Sequence, residues 1–330
     1  MKKITAASLF LPLAAAGLLM AGSAQASLTA FQQYTGKVGY SSDGFGSTSQ
    51  SGTISASVPA GSTVLAAYLY TSTFSNSTLT GVGGTLNGNA VSYTALGVNA
   101  ASCCALAAGR TDVTSIIKPI IDGGAGGVYN FSITETSSSQ DGEALVVVYS
   151  NPALGISTVG ILDGFASVIG DTTSINFIAP LDPTASGFFA EMALGIGFSC
   201  CSQKSTVKVN GVTMTENAGN NDDGVGSISN GQLITVGGYD DPFSPANPSY
   251  TDDHERYDLT PFITAGDTSI TVDTINASRD DNIFLALFHV TGEAGINQPP
   301  GPTVPEPGSL ALAGLALASL AGLRRKAKQG

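Results

Sequence analysis

The sequence predicts an all-β protein built from two tandem related β-sandwich modules, of the jelly-roll or immunoglobulin-like type, with an apolar segment at each end. Three observations carry this prediction: short apolar segments bounded by turn residues, the lack of a long helical period in the central region, and motifs that recur in the same order in two halves. With 330 residues, 42% of them hydrophobic and 12% charged, the chain has enough apolar material for a packed core and lacks the composition of a disordered protein.

Strand signals dominate the central region. Short runs of aliphatic, β-branched and aromatic residues alternate with Gly, Asp, Asn and Ser, which is the pattern of strands separated by turns. Because these runs are continuously apolar, they suit central strands of a sandwich, where a neighbouring sheet covers the apolar face. The clearest runs are residues 64–70, 144–149, 268–272 and 283–288.

A weak internal repeat divides the central region. Residues 110–117 align with residues 256–263, and each motif is followed by a glycine, a strand, an aspartate and a long apolar strand. Upstream of each motif, an Asn-Gly step at 87–88 and at 210–211 predicts a hairpin turn with both residues at positive φ. The two predicted modules are residues 27–180 and residues 181–293.

The N-terminal segment has the three parts of a secretory signal peptide. Lys2 and Lys3 precede an apolar stretch over residues 4–20, and Ala24 and Ala26 form the small-x-small cleavage pattern. We therefore expect Sec export and removal of residues 1–26 by signal peptidase.

The C-terminal segment, residues 304–330, also has three parts. The tetrapeptide Val304, Pro305, Glu306 and Pro307 precedes an uncharged run over residues 309–323. A basic end follows, with Arg324, Arg325 and Lys326.

Fifteen helical residues span about 22 Å, which is short for a hydrocarbon core of about 30 Å but long enough for a strained span. The basic end is expected to stay in the cytoplasm.

This order of parts resembles the PEP-CTERM sorting signal of Gram-negative bacteria. The resemblance covers about the last 27 residues, and it implies recognition by exosortase, a membrane-embedded transpeptidase that cuts near the motif. It also implies a protein held transiently at the inner membrane and then delivered to the cell surface or the extracellular space, in bacteria that make exopolysaccharide.

Residues 294–303 are expected to form a linker between the body and this tail. The stretch contains Gln298-Pro299-Pro300-Gly301-Pro302, which favours a stiff, polyproline-like spacer. Such a spacer would hold the body away from a membrane.

The charge balance excludes one class of partner. Residues 27–305 contain seven Lys and Arg against 24 Asp and Glu, a net charge of −17. Binding to a phosphate backbone depends on clustered cations, so nucleic acid is not an expected partner.

The four cysteines form two adjacent pairs, Cys103 with Cys104 and Cys200 with Cys201. An oxidising compartment favours disulfides, and three full pairings are possible. Adjacent Cα atoms lie only about 3.8 Å apart, shorter than a disulfide usually requires, so we favour links between the pairs. Those links would close a loop of about 97 residues and stabilise the fold by on the order of 4.7 kcal/mol. A zinc tetrathiolate is the alternative.

Acidic residues cluster between positions 222 and 281. Oxygen-rich loops of this kind suit Ca²⁺, with Asp240, Asp241, Asp252 and Asp253 as candidate ligands. The favoured interpretation is a solvated anionic surface with aspartates in turns, and calcium binding is the alternative. The repeated residues Asp112 and Asp258 are expected in turns or helix caps rather than in catalysis.

The sequence contains few signals of catalysis. The chain has two histidines, His254 and His289, and no nucleophile elbow, zinc-protease motif or phosphate-binding loop. The leading hypothesis is therefore a non-enzymatic protein of the cell surface or of a biofilm matrix, with exopolysaccharide as a candidate partner. A calcium-dependent carbohydrate-binding or adhesin module and a glycoside hydrolase are the two alternatives.

Overall fold

A computed structural model gives the structure of the protein. It describes residues 27–298, apart from residues 47, 77, 100–104, 168, 200, 202, 224–230 and 277–281. The predicted signal peptide, the predicted C-terminal helix and the tail motif lie outside the described residues. Within the described ranges, no helix has the length and hydrophobicity needed to cross a bilayer.

The described residues are predominantly β-structure, as the sequence predicts. The strands are β1 (Thr29–Gly36), β2 (Val38–Phe45), β3 (Ser51–Val58), β4 (Thr63–Thr73), β5 (Gly84–Leu86), β6 (Asn89–Val91), β7 (Thr94–Asn99), β8 (Leu106–Asp112), β9 (Gly127–Glu135), β10 (Gln140–Ser150), β11 (Ser157–Asp163), β12 (Asp171–Phe177), β13 (Ala190–Gly197), β14 (Ser205–Val209), β15 (Val212–Ala218), β16 (Thr235–Val236), β17 (Arg256–Asp258), β18 (Ser269–Asn276), β19 (Asn282–Thr291) and β20 (Ala294–Ile296). Helix α1 covers Thr114–Asp122, and a 3-10 helix covers Thr260–Phe262.

Four antiparallel sheets form the body. Sheet I has the order β3-β9-β5-β6, and sheet II has the order β2-β10-β4-β8-β7. Sheet III has the order β1-β11-β19-β13-β16, with β17 also paired to β13, and sheet IV has the order β15-β14-β18-β12-β20.

Three hydrophobic cores stack these sheets in the order I, II, III, IV. One core joins sheets I and II, a second joins sheets II and III, and a third joins sheets III and IV. The two inner sheets are therefore covered on both faces, which explains why β10 and β19 are buried along almost their whole length.

The strand orders of the two halves match. Across the sheets, the neighbouring strands β2-β10-β4-β8 of sheet II correspond to β11-β19-β13-β17 of sheet III. In the same way, β3-β9-β5-β6 of sheet I correspond to β12-β18-β14-β15 of sheet IV, and the matched strands follow one another in the same order along the chain. Strands β11 and β12 precede residue 180 but pair within sheets III and IV. Strand β10, which ends at Ser150, pairs within sheet II, and β11, which begins at Ser157, pairs within sheet III. Apart from β1, the boundary between the two halves therefore falls between Ser150 and Ser157. The sandwich type and the tandem relationship remain predictions.

Both Asn-Gly steps form the expected hairpin turns. Asn87 and Gly88 have φ of 48° and 77° between β5 and β6, and Asn210 and Gly211 have φ of 50° and 78° between β14 and β15. The side-chain amide of Asn and the missing side chain of Gly make this left-handed conformation accessible.

The repeated aspartates lie just before helical turns. The Asp112 carboxylate accepts a hydrogen bond from the Thr114 backbone N–H at 2.8 Å, at the start of α1. At the matching place in the other half, the Asp258 carboxylate accepts from the Thr260 backbone N–H at 2.9 Å. The prediction that these aspartates serve turns or caps is confirmed.

The first residues of the predicted linker, residues 294–303, belong to the body instead. Residues Ala294–Ile296 form β20, which pairs with β12 and extends sheet IV by one strand. Three residues are too short for a strand signal in the sequence, and the pairing surface that orders them comes from a strand more than 100 residues earlier.

Candidate functional site

The predicted sorting residues and most of the predicted disulfide residues lie outside the described residues. This holds for Val304 to Pro307, for Arg324 to Lys326, and for Cys103, Cys104 and Cys200. Cys201 is exposed in a turn, with a φ of 65°. No disulfide occurs among the residues that the structure describes, and the disulfide pairing remains a prediction.

The segments that flank the two cysteine pairs approach each other. The Asn76 backbone N–H donates to the Ala105 carbonyl at 3.0 Å, directly after the first pair. Phe74 lies two residues before Asn76, and its ring stacks on the ring of Phe198 with 4.0 Å between the centroids. Phe198 lies two residues before Cys200, the first cysteine of the second pair. The fold thus brings described residues that flank the two cysteine pairs to one end of the interface between sheets II and III.

The four predicted calcium ligands do not form one group. The Asp241 carboxylate accepts the Gly238 backbone N–H at 2.8 Å, and Asp252 accepts the Ser249 hydroxyl at 2.5 Å. Asp253 is fully buried and accepts the Thr215 hydroxyl at 2.5 Å. Among the described residues, no group of three or more His, Cys, Asp or Glu side chains could hold a metal ion.

Asp240 and Asp241 instead neighbour two carboxyl groups that the sequence analysis did not single out, Asp43 and Asp223. Burial raises the pKa of Asp43 to about 7, and the carboxylates of Asp240 and Asp241 add to the effect. Burial also raises the pKa of Asp223 well above its usual range, followed by the influence of Asp241 and Asp43. The Ser55 backbone N–H donates to the Asp43 carboxylate at 2.5 Å, and this hydrogen bond only partly offsets the rise in the pKa of Asp43.

A second group of buried acids lies where β9 ends and β10 begins. Glu135, Asp141 and Glu143 are at most 8% exposed, and the carboxyl groups of Glu135 and Glu143 are hydrogen-bonded to each other. Burial raises the pKa of Glu135 to about 7, and burial, followed by the nearby Glu135, raises the pKa of Glu143 well above its usual range. Gln140 Nε2 donates to Glu143 Oε1 at 2.8 Å.

A third group consists of Asp253, Glu255 and Tyr257, all buried. The Tyr257 hydroxyl lies within hydrogen-bond distance of both carboxyl groups, at 2.8 Å from Glu255 Oε2. Burial raises the pKa of Glu255 well above its usual range, and the Asp253 carboxylate raises it further. Glu255 also has a φ of 57°, a strained value for a residue of this type.

Sequence reasoning could find part of this pattern. The Asp141-Gly142-Glu143 segment was visible as a repeated motif before an apolar strand. Its burial depends on sheets I and III, which cover the strand from opposite sides, and no local signal reports that.

The two histidines have structural surroundings. Nδ1 of His289 lies 3.3 Å from Glu191 Oε1 and its Nε2 lies 3.1 Å from the Ser157 hydroxyl. The rings of Tyr40 and Phe189 pack edge-on against it. The His289 side chain is 14% exposed, and both of its ring nitrogens have polar neighbours. His254 is partly exposed, with Nδ1 4.0 Å from Asp241 Oδ1.

A partly buried ion pair joins the inner sheets. Arg110 of β8 pairs with Asp163 of β11, and the Tyr70 hydroxyl donates to the same carboxylate at 3.1 Å. The Arg110 guanidinium also lies 3.3 Å from the centre of the Phe31 ring, a cation–π contact.

The last described residues lie at the edge of sheet IV. The amide of Gln33 in β1 donates to the Ala294 carbonyl at 2.7 Å and accepts the Ile296 N–H at 3.0 Å, so it covers the outer edge of β20. After β20, the Asn297 side chain accepts the Ser174 N–H at 2.8 Å.

The last described residue is also fixed to the body. The Gln298 carbonyl accepts a hydrogen bond from the Asn176 amide at 2.8 Å. The described hydrogen bonds to the body therefore extend to Gln298.

Beyond this point, residues 303–326 match the family model of the PEP-CTERM protein-sorting motif. The chain carries a PEP-CTERM sorting signal. The match contains all of the tail residues singled out from the sequence, from the Val304 to Pro307 tetrapeptide to the basic residues at 324–326. The comparison with curated proteins finds no match to the chain.

The PEP-CTERM signal implies export and sorting by exosortase, a membrane enzyme. The predicted address is therefore confirmed at the level of the motif. The signal covers 24 residues and leaves the role of the folded body to be argued from the body itself.

Proposed function

We propose that the protein is a non-enzymatic component of the bacterial surface or of an exopolysaccharide-containing extracellular matrix. The observation that carries the proposal is the PEP-CTERM match at residues 303–326, which connects an acidic folded body to an export and sorting route. In this proposal the body is the delivered product and the tail is its address.

The delivery route has three steps. Sec export ends with removal of residues 1–26 by signal peptidase. The apolar run over residues 309–323 then holds the chain transiently in the inner membrane, with the basic end in the cytoplasm. Finally an exosortase-type enzyme acts near Pro305 to Pro307 and transfers or releases the body.

The body serves as a rigid module for presentation. We infer that its two halves arose by duplication, because two pairs of sheets share one strand order. The core between sheets II and III joins the halves through buried apolar residues from both, among them Tyr70 and Phe284 with ring centroids 6.2 Å apart. A stack of this kind resists unfolding outside the cell, and disulfides between the cysteine pairs would strengthen it.

The position of the acids favours this role over glycoside hydrolysis. A glycosidase needs two carboxyl groups that face a sugar in an open cleft. Glu143, Asp253 and Glu255 are fully buried, and none of them lines the grooves beside β1 and β20, after β12, or between β7 and Gly164. The remaining surface carboxylates keep the body strongly anionic and soluble.

Replacement of Pro305 and Glu306 by Ala tests the sorting route. The double variant is expected to accumulate as a membrane-bound precursor in cells that make the enzyme, because the enzyme reads this motif. A matched control replaces Pro299 and Pro300 by Ala and should be processed like the natural protein. Equal release of the double variant and the control would contradict the proposal.

A further inference from the structure

A buried polar cluster lies between two central strands of sheet II, where Gln140 begins β10 and Thr71 lies near the end of β4. Thr71 is directly opposite Glu143 in the pairing of these strands, so both side chains lie on one face of the sheet. Leu69 and Leu145, two positions along on that face, belong to the core between sheets I and II. Thr71 and Glu143 are fully buried and Gln140 is 5% exposed, so bulk water is excluded from the cluster.

The Gln140 carboxamide is held in one orientation. Its Oε1 accepts the backbone N–H groups of Gly83 at 3.3 Å and of Ser137 at 3.2 Å, and its Nε2 lies 2.8 Å from Glu143 Oε1. Two N–H donors on one carbonyl oxygen stabilise the negative charge that develops there when a nucleophile attacks the carbonyl carbon. The surroundings of Gln140 therefore make its Cδ electrophilic.

The Thr71 hydroxyl lies beside this carboxamide. Its Oγ1 is 3.5 Å from Gln140 Nε2, and the C–N bond adds about 1.33 Å, so at most about 4.8 Å separates Oγ1 from Cδ. A side-chain movement of about 1.3 Å or less brings Oγ1 to the attack distance of about 3.5 Å. The hydroxyl donates its proton to the Gly142 carbonyl at 3.1 Å, which leaves the oxygen lone pairs for the carboxamide.

The Glu135 and Glu143 side chains can supply and recover a proton. They are hydrogen-bonded to each other, and burial raises the pKa of both groups. Two adjacent carboxylates in a dry site do not both ionise, so the pair keeps a proton near neutral pH. Glu143 Oε1 contacts Nε2 of Gln140, which is the atom that leaves when Cδ is attacked.

We propose that Thr71 and Gln140 form an intramolecular ester. Thr71 Oγ1 forms a bond to Gln140 Cδ, and the bond between Cδ and Nε2 breaks. The carboxyl pair gives one proton to the leaving nitrogen and takes the proton that Thr71 loses, so the pair is unchanged and the second product is ammonia. The reaction consumes no oxidant or other co-reactant, and the dry core protects the ester from hydrolysis.

The other half of the body lacks the reacting groups. Where Thr71 faces Glu143 between β4 and β10, Gly197 faces Asn282 between β13 and β19. With neither a hydroxyl nor a carboxyl at these positions, one ester is expected, in the first half. It joins two central strands of sheet II and constrains the unfolded chain as a disulfide does, which goes beyond the proposed function and does not depend on sorting.

Peptide mapping of the reduced and alkylated protein tests the bond directly. Trypsin cuts after Lys37, Arg110 and Lys204, and the ester joins peptide 38–110 to peptide 111–204. We expect a branched species whose mass is about 17 Da below the sum of the two peptides, which is the mass of ammonia. Hydroxylamine, which cleaves esters, should separate the two peptides.

Variants of Thr71 identify the nucleophile. Thr71→Val should abolish the branched species, and Thr71→Ser should retain it because the hydroxyl remains. Thr73→Val is the matched control, since Thr73 is equally buried on the same strand. Its hydroxyl contacts the carbonyls of Asn76 at 2.7 Å and Ala107 at 3.2 Å, so this variant should retain the ester.

Glu143→Gln tests the proton transfer. The variant keeps the shape of the side chain but cannot exchange the proton, so ester formation after refolding should slow by at least tenfold. An unchanged rate would remove Glu143 from the mechanism.

Two results would overturn the ester: separate peptides of full mass from the folded natural protein, or a branched species that persists in Thr71→Val. A loss of about 17 Da confined to one peptide, as a succinimide at Asn87 produces, has the same meaning as the first result. Failure of the ester leaves the sorting route standing, because the Pro305 and Glu306 double variant tests that route separately.

Discussion

The hydroxyl of Tyr257 lies 2.8 Å from Glu255 Oε2 and also within hydrogen-bond distance of Asp253, inside a fully buried network. A hydroxyl has one proton and can donate to only one acceptor at a time. One carboxyl group must therefore keep its own proton, in line with the raised pKa of Glu255. Burial also raises the pKa values of Glu135 and Glu143, and these shifts link stability to pH.

The first prediction is that the body loses stability as the pH rises. A carboxyl group with a folded pKa above its unfolded value, near 4, favours the folded state fully at low pH and loses that contribution as the pH rises through the folded pKa. With folded pKa values of about 7 for Asp43 and Glu135, the loss falls between about pH 4 and pH 7. Asp122 and Asp182 have lowered pKa values and act in the opposite direction, but solvent screens them.

Thermal unfolding of the mature protein at a series of pH values checks this. We expect a higher Tm at pH 5 than at pH 8. A Tm that rises steadily from pH 5 to pH 8 would rule out the assigned protonation states.

The second prediction isolates one of these carboxyl groups. Glu135→Gln keeps the shape of the side chain but removes its ionisation, so it should flatten the fall in stability between pH 5 and pH 8. The expected gain at pH 8 relative to pH 5 is on the order of 1 to 3 kcal/mol. Asp182→Asn, at an exposed turn position, is the matched control and should leave the profile unchanged. Identical profiles for the two variants would show that Glu135 does not titrate in this range.

The third prediction concerns the core between sheets II and III. Phe284 is fully buried there, so Phe284→Ala should lower the free energy of unfolding by about 3 to 5 kcal/mol. Phe243→Ala is the control. Phe243 is 45% exposed and stacks on the Arg256 guanidinium at 4.5 Å, so its loss should cost only about 1 kcal/mol. Denaturant titrations give both values, and similar costs would contradict the stacked arrangement of the halves.

The fourth prediction concerns the cysteines. The contacts of Asn76 with Ala105 and of Phe74 with Phe198 bring the flanks of the two pairs together, so we expect disulfides between the pairs. Peptide mapping without reductant should recover peptides that contain Cys103 and Cys104 linked to peptides that contain Cys200 and Cys201. A bond between adjacent cysteines, or four thiols that react with iodoacetamide in the oxidised protein, would contradict this expectation.

Local features of the fold could be predicted from the sequence, and features that depend on distant pairing could not. The Asn87-Gly88 turn and the Asp112 cap follow from residues within a few positions of each other. By contrast, β20 exists because β12 offers a free edge and Gln33 covers the other side.

The candidate sites follow the same division. The tail motif is contiguous, so the sequence predicted it and the family comparison confirmed it. The acid groups form only when four sheets stack, so carboxylates as far apart in the chain as Asp43 and Asp241 become neighbours. The predicted set of four aspartates failed to come together because adjacent residues such as Asp252 and Asp253 point into different surroundings, one exposed and one buried.

Intact mass spectrometry of the protein isolated from its native host tests the central claim most directly. The account predicts a mature chain that begins at Ser27, ends near Pro305 to Pro307, and has lost the apolar run and the basic residues at 324–326. Recovery of chains from the extracellular fraction that still carry Arg324, Arg325 and Lys326 would contradict it.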